Sequence, residues 1–302
     1  MMFKSLGTNF RFLLLSSGFS NLADGVAGFA FTWLFSLITR DAQLIALALA
    51  LGSLPHLIFI LFAGVISDKF NRKKILITSR LLQALLIGFV TVTIYYFKNQ
   101  IPNVVSVGSE PEFQGKFFLI IFFYIISFVF GILEVTRDNT SQSFLPQIVK
   151  KESLSDANGK LFGVEITFNS FLGAPLAGFL IGVSLYTPFV GVAALLILSV
   201  FYVSKITGNF EPEDSSLDRK TSEMIKEGFS WMSKQVLIKR LAIFTGVANF
   251  IGSMGFPVMI LFAQEILLLN SVQFGFLTYG AAAGGVLGSL VAKQIHEKIS
   301  VR

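Results

Sequence analysis

Apolar runs of membrane-spanning length recur along this chain, separated by short polar breaks. A hydrocarbon core of about 30 Å needs about 20 residues of helix at 1.5 Å rise each. Eight stretches meet that length, at approximately 12–38, 43–66, 75–97, 117–137 with a polar continuation, 161–184, 186–206, 241–267 and 274–292. The first is too long for the apolar core of a signal peptide and has no small-residue cleavage site before the next polar segment, so it reads as a spanning helix. Six helices, a polar stretch and two more helices predict an all-α polytopic protein with a six-helix bundle at 1–206, a linker at 207–238 and a partial second bundle at 239–302. The linker opens acidic and then sets Met224, Phe229 and Trp231 among Lys and Glu, a pattern that fits an interfacial helix or a solvated connector equally well. The 97–116 loop, with Pro, Gly and Asn signals, is expected to be irregular and external.

Composition agrees with lipid as the main solvent. Hydrophobic residues make up 53% of the 302 and charged residues only 14%, and the mean hydropathy is +0.72. There is no Cys, which excludes disulfides and thiolate ligands. The net charge of +6 would suit nucleic acid if it were concentrated, but it is dispersed over five segments on one side. Lys69, Lys73, Arg80, Lys151, Lys226 and Lys298 represent that side, while the other keeps Arg40, Lys98 and Lys116, and Arg137 lies near the membrane. By the positive-inside rule both chain ends are expected in the cytoplasm of a bacterium, with the protein in its inner membrane. No nucleotide-binding GxxxxGK[ST] loop and no sequence cluster of His, Cys and carboxylates is present. An ATP-driven pump within this chain is thereby excluded. An enzyme has little support, and neither cofactor nor metal is expected.

The most specific string is GVISDKFNRKK, Gly64 to Lys74, between the second and third spans. Gly64 would let helices approach closely, and Asp68 stands among Lys69, Arg72, Lys73 and Lys74. A topogenic basic loop with an incidental Asp is the plain alternative. The string resembles the GxxxDRxGRR loop of the major facilitator superfamily, with Lys69 in place of Arg and Asn71 in place of Gly. The resemblance implies a conformational latch made by Gly64, Asp68, Lys69, Arg72 and Lys73, with Asn71 accepting the left-handed backbone that Gly would take. Ser141 to Gly159 is similar to a segment of the efflux branch that holds macrolide exporters and the enterobactin exporter, through Leu145, Pro146, Val149, Leu154, Ala157 and Asn158. Pro146 is expected to end a helix there, and Ser155 or Asp156 to cap the next. Gly173, Pro175 and Gly178 in FLGAPLAGFL resemble part of an antiporter motif, although small residues serving helix packing explain them equally well.

Superfamily carriers are built from repeats nested in two halves. Gly18-x-x-Asn21 recurs as Gly246-x-x-Asn249, and Gly64 aligns with Gly288. On that alignment a twelve-helix member would lack its last four helices here, so the expectation is a C-terminally truncated product, with a separate polypeptide as one possible source of the rest. Ionisable residues inside spans are functional candidates by default. Asp24 leads as proton or cation site, with Asn21 on the same face. On α-helical spacing either Glu134 pairs with Arg137 or Asp138 pairs with a basic residue across the bundle, and Glu165 with Asn169 one turn on is expected to complete a buried network. His56 reads as a satisfied core histidine and Glu265 as interfacial. The resemblance implies a secondary transporter coupling proton entry to efflux of a small amphipathic molecule, with lipid as its surroundings. An uptake carrier on the same fold and a non-transporting remnant stay open.

Overall fold

The computed structural model describes residues 6–102, 110–211, 230–231, 234–280 and 284, and all regular structure among them is helical. The helices are α1 Gly7–Ile38, α2 Ala42–Ile58, α3 Ile60–Lys69, α4 Arg72–Phe97, α5 Lys116–Ile148, α6 Leu154–Glu165, α7 Ala174–Val183, α8 Thr187–Ser204 and α9 Val236–Glu265. A π-helical segment, Ile166–Gly173, joins α6 to α7, so that Lys151–Val183 forms one span. Among the described residues five such stretches are long and apolar enough to cross a bilayer, and α2 with α3 makes a sixth, bent by 55°. Helices are what lipid demands, because each N–H and C=O must find its partner inside its own segment.

The seventh expected span is α9, 30 residues long. The eighth is helical over 271–280, and most of its remainder lies outside the described residues. So do most of the linker and the middle of the 97–116 loop, whose described ends are turns and extended chain. Gly246 and Asn249 fall on α9, but their side chains, and all of Gly288, are outside the description.

α1 is the axis of the assembly. Its most apolar stretch is 67% buried, against 39% at most for the other straight spans, and it packs on α8, the π segment, α7, α6, α5 and α9. Small residues make this possible. A Cβ on Gly25 would run into the Asn169 backbone, and one on Gly173 would run into Gly25 itself, so α1 and the π segment meet with no side chain between them. Against α8, Ser16 and Ser199 each donate a hydroxyl to the other's carbonyl, at 2.9 and 2.8 Å. Aromatic contacts around Phe31, which meets Phe123, Phe130 and Phe189 edge-on, fill the core further along.

Irregularities in the spans have local causes. Pro55 lies in the last turn of α2, where its missing N–H breaks the hydrogen-bond ladder next to the bend into α3. Pro175 opens α7 directly after the wide π turn. Asp41 caps α2 by accepting from the Gln43 N–H at 2.8 Å, and Asn71 caps α4 by accepting from the Lys74 N–H at 3.2 Å. Asn71 therefore acts as a cap with φ of −59°, not as a left-handed substitute for Gly. Pro146 does not end α5 either. It sits within the last turn, which continues to Ile148, and the N-cap position of α6 is Ser153.

At the end of the bundle away from Asp68, Glu110 gathers the C-terminus of α1. It accepts from the Thr39 hydroxyl at 2.7 Å and the Arg40 N–H at 2.8 Å, and Lys116 bonds it at 2.8 Å. Arg40 reaches Gln264 of α9 through its guanidinium, Gln264 donates to the Ser36 hydroxyl at 2.8 Å, and Glu265 lies 3.5 Å from Arg40. Burial alone would raise the Glu110 carboxyl, but the Lys116, Thr39 and Arg40 donors outweigh it and hold it below the ordinary 4.5. A depressed folded-state value adds stability that is present above about pH 4.5 and fades as pH falls through the lowered value. E110Q is accordingly expected to unfold earlier than the unmutated protein at pH 7, with the gap closing on acidification below 4.5. Since the carboxylate is 40% exposed, the difference should stay within about 1 kcal/mol. Thermal unfolding in detergent across pH checks both signs.

Candidate functional site

Charged residues inside a span must be paired or face water, and the principal cluster here forms where α1 meets α5. Arg137 projects from α5 into the core with 3% of its side chain exposed. Its guanidinium grips Asp24 of α1 with two parallel bonds, Nη1 to Oδ1 at 3.0 Å and Nη2 to Oδ2 at 2.8 Å. This fork geometry matches a carboxylate on both atoms and is the strong form of the pair. Nε and Nη2 also reach Asp138 Oδ1 at 2.9 and 2.8 Å. Glu134, one turn earlier, lies 4.0 Å from Nη2, and Gln83 Oε1 of α4 lies 3.5 Å from Nη1. One guanidinium thus holds or faces three carboxylates.

Asp24, Glu134 and His56 line a cavity of about 320 Å³, together with Phe31, Phe130 and Asn169. Apolar walls with a few convergent polar groups are what a small-molecule site needs. The carboxylates of Asp24 and Glu134 at its wall can accept protons or a cationic group. His56 is exposed to this cavity rather than satisfied in the core, and its ring lies with Glu134 and Asp138 so that their ligand atoms fall within 4.8 Å of one another. The sequence spacing hides this trio. Arg137 already occupies Asp138 Oδ1 with two N–H groups, so a metal ion there would sit beside a fixed positive charge.

Other expectations need correction. Asp138 pairs with its own neighbour Arg137, not with a basic residue across the bundle. Asn21 bonds back to Ser17, to its carbonyl at 2.9 Å and its hydroxyl at 3.0 Å, and makes no described contact with the cluster. Glu165 is exposed and forms no ion pair among the described residues, while Asn169 serves the cavity wall instead. Arg80, assigned by charge counting to a cytoplasmic segment, is 1% exposed inside α4. Sequence reading missed Arg80 and Gln83, although their i, i+3 spacing in an apolar run marks one polar face.

The basic loop between α3 and α4 is partly as expected. Asp68 and Arg72 approach to 3.3 Å. Lys73 donates to the Ser204 and Ile206 carbonyls at 2.8 and 2.7 Å, capping the end of α8, where a cation is favoured. Lys69 closes α3 and lines a surface hollow with Lys74 and Glu211. Gly64 makes no close approach, for nothing among the described residues lies within 4 Å of where its Cβ would stand. The packing account of the other motif is better supported. Gly173 faces Gly25, Gly178 meets the backbone of Ser271 and Val272, and the Ser271 hydroxyl donates to the Gly178 carbonyl at 2.9 Å. Pro175 lies against Gly275.

The family model of the Major Facilitator Superfamily matches residues 13–302. The chain belongs to this superfamily. It is also similar to a Bacillus subtilis (strain 168) protein named "Uncharacterized MFS-type transporter YceJ", with 23% identity over 249 residues. That alignment covers 82% of the chain and 56% of the relative's length. Superfamily members are transporters, and the chain is a multi-pass membrane protein. In this superfamily member the charge cluster sits where α1, the most buried of the five straight spans described, meets the helix that carries Arg137.

Removing one member of a buried pair leaves the other uncompensated, which costs about 3–5 kcal/mol, whereas removing both costs far less. R137M should therefore destabilise the protein strongly. R137M/D24N should recover part of the loss, and thermal unfolding in detergent measures the difference between the two.

Proposed function

We propose that this superfamily member belongs to a secondary transporter that moves protons inward as it exports a small amphipathic molecule by alternating access. The observation that supports it is the buried Arg137 with its three carboxylates, two of which, Asp24 and Glu134, line the 320 Å³ cavity. A charge cluster of this kind can take up and release protons only when solvent reaches it, and the cavity brings solvent and cargo to the same wall. Asp24 is the central coupling residue, because it closes the pair between two helices. When it is charged it holds α1 to α5 through Arg137, and when it is neutral that tie weakens. Asp68, Arg72 and Lys73 serve as the latch at the cytoplasmic end. Export rather than uptake rests on the similarity of residues 141–159 to the efflux branch.

Two measurements test this reading. Single-Cys variants are clean because the chain has no Cys. With the proposed orientation in the inner membrane, Glu112→Cys should react with an impermeant maleimide in intact cells and Lys151→Cys only after permeabilisation. The reverse pattern inverts the topology. In proteoliposomes, efflux of an amphipathic dye driven by an imposed pH gradient should fall at least about tenfold in D24N, a loss of about 1.4 kcal/mol in transition-state stabilisation or more. D24E should keep part of the activity with a shifted pH profile. Normal transport by D24N with an unchanged profile would move coupling to Glu134 or Asp138. If the unmutated chain moves no dye at all, the non-transporting reading stands.

A further inference from the structure

Countercharge is unevenly distributed in the core. Arg137 serves Asp24, Asp138 and Glu134 at once and also touches Gln83. Arg80 is equally buried on α4, yet it forms no ion pair among the described residues. Its one described hydrogen bond runs from Nη1 to the Leu76 carbonyl of its own helix at 3.4 Å, and its Nε has no partner among the described residues. Gln83, one turn further along the same face, spends its oxygen on Arg137 and leaves its buried Nε2 without a partner among the described residues. One oversubscribed guanidinium and one undersubscribed guanidinium therefore feel each other's charge in the core, and the half-satisfied amide that touches the first stands on the helix of the second. A buried cation without a carboxylate is costly, and the carboxylates in electrostatic reach of Arg80 are Asp138 and Asp24, both in the grip of Arg137.

We infer that Arg80 is the alternate countercharge of this cluster, taking over Asp138 or Asp24 from Arg137 in the second state of the transport cycle, with Gln83 as the bridging group. This deepens the coupling role proposed above and rests on it. Release of a carboxylate by Arg137 would otherwise strand an anion in the membrane core. A second guanidinium, already desolvated and with a free Nε–H, receives that anion without drawing a charge in from water. Arg80 is thus a positioning residue, acting on the carboxylates and not on the cargo.

The charged and titratable groups around Arg80 can be named. α5 and α3 pack on α4 and bring Glu134, Arg137 and Asp138 and, at the far end of α3, Asp68 and Lys69, while α1 brings Asp24 within electrostatic reach. α8, which packs on α4, has no Asp, Glu, Lys, Arg or His. The test is an infrared pH titration of the protonated-carboxyl C=O band on the purified chain in lipid nanodiscs, with D24N, E134Q and D138N to assign it. A cation favours the charged form of nearby carboxylates, so R80M should move the midpoint upward by on the order of one pH unit, while R80K, which keeps the charge, should stay near the unmutated value. In case R80M does not fold, the ¹⁵N resonance of Arg80 Nε in the unmutated chain gives a second reading, assigned by its loss in R80K, and it should shift over the same pH interval as the band. A band that titrates with the same midpoint in R80M, or an Arg80 Nε signal that stays fixed while the band titrates, overturns the inference and leaves the coupling reading intact. A band that does not titrate in the unmutated chain overturns both.

Discussion

A guanidinium held away from water in the middle of a helical bundle must be matched by negative charge, and Arg137 is matched by more than it needs. The arrangement ties α1 to α5 by a two-pronged bond and draws in Asp138, Glu134 and the Gln83 amide. In a low-dielectric interior such a pair is expensive to form and more expensive to break by halves. Every other packing feature near it has to hold α1 and α5 at the distance that lets the fork close.

The small residues do this. Gly25 is next in the chain after Asp24, and its missing side chain lets the π segment lie against α1 on one flank, while Asp24 meets α5 on another. Gly131, nearly two turns before Arg137, likewise allows α5 to reach the Gly52 backbone of α2. These two contacts press the π segment onto α1 and α2 onto α5. The 320 Å³ cavity is the space left between them, walled by Gly52, Gly131 and Asn169 as well as by the charged groups. Site and scaffold are therefore one construction, because the residues that permit close backbone approach also leave the opening beside Asp24.

How much the sequence made legible depends on the physics each signal carries. Six of the spans were readable from apolar length, since lipid imposes that length on any helix crossing it. Asp24 and Glu134 were readable as exceptions within apolar runs. Their partners were harder to find. Charge counting assigns Arg80 to an aqueous segment because Lys69, Arg72, Lys73 and Lys74 lie close before it, yet α4 begins at Arg72 and carries position 80 two turns into the core. Neighbouring helix residues do not ordinarily face each other, and a pair between Asp138 and Arg137 was not among the expected ones. The long arginine side chain curls back far enough to defeat that rule. The capping role of Asn71 and the empty space beside Gly64 show the same limit. A motif fixes residue types and spacing, while the backbone at each position depends on neighbours distant in sequence.

The two ends of the bundle are held differently, and this bears on how the core cluster can act. At the Glu110 end, α1 is fastened to α9 by Arg40, Gln264 and Ser36, so this end ties the first six spans to the seventh, on the far side of the linker. At the Asp68 end, Lys73 fastens α4 to the end of α8, a tie within the first six spans alone. A motion that opens the Glu110 end must break polar contacts between α1 and α9, and α1 is the helix that carries Asp24. Any tilt of α1 sufficient to part Ser36 from Gln264 also changes the pull on the Asp24–Arg137 fork twelve residues away along a continuous helix. The converse holds as well, because a change in charge on Asp24 alters the force holding α1 in place. One uninterrupted helix therefore carries both the outer contacts and the buried pair.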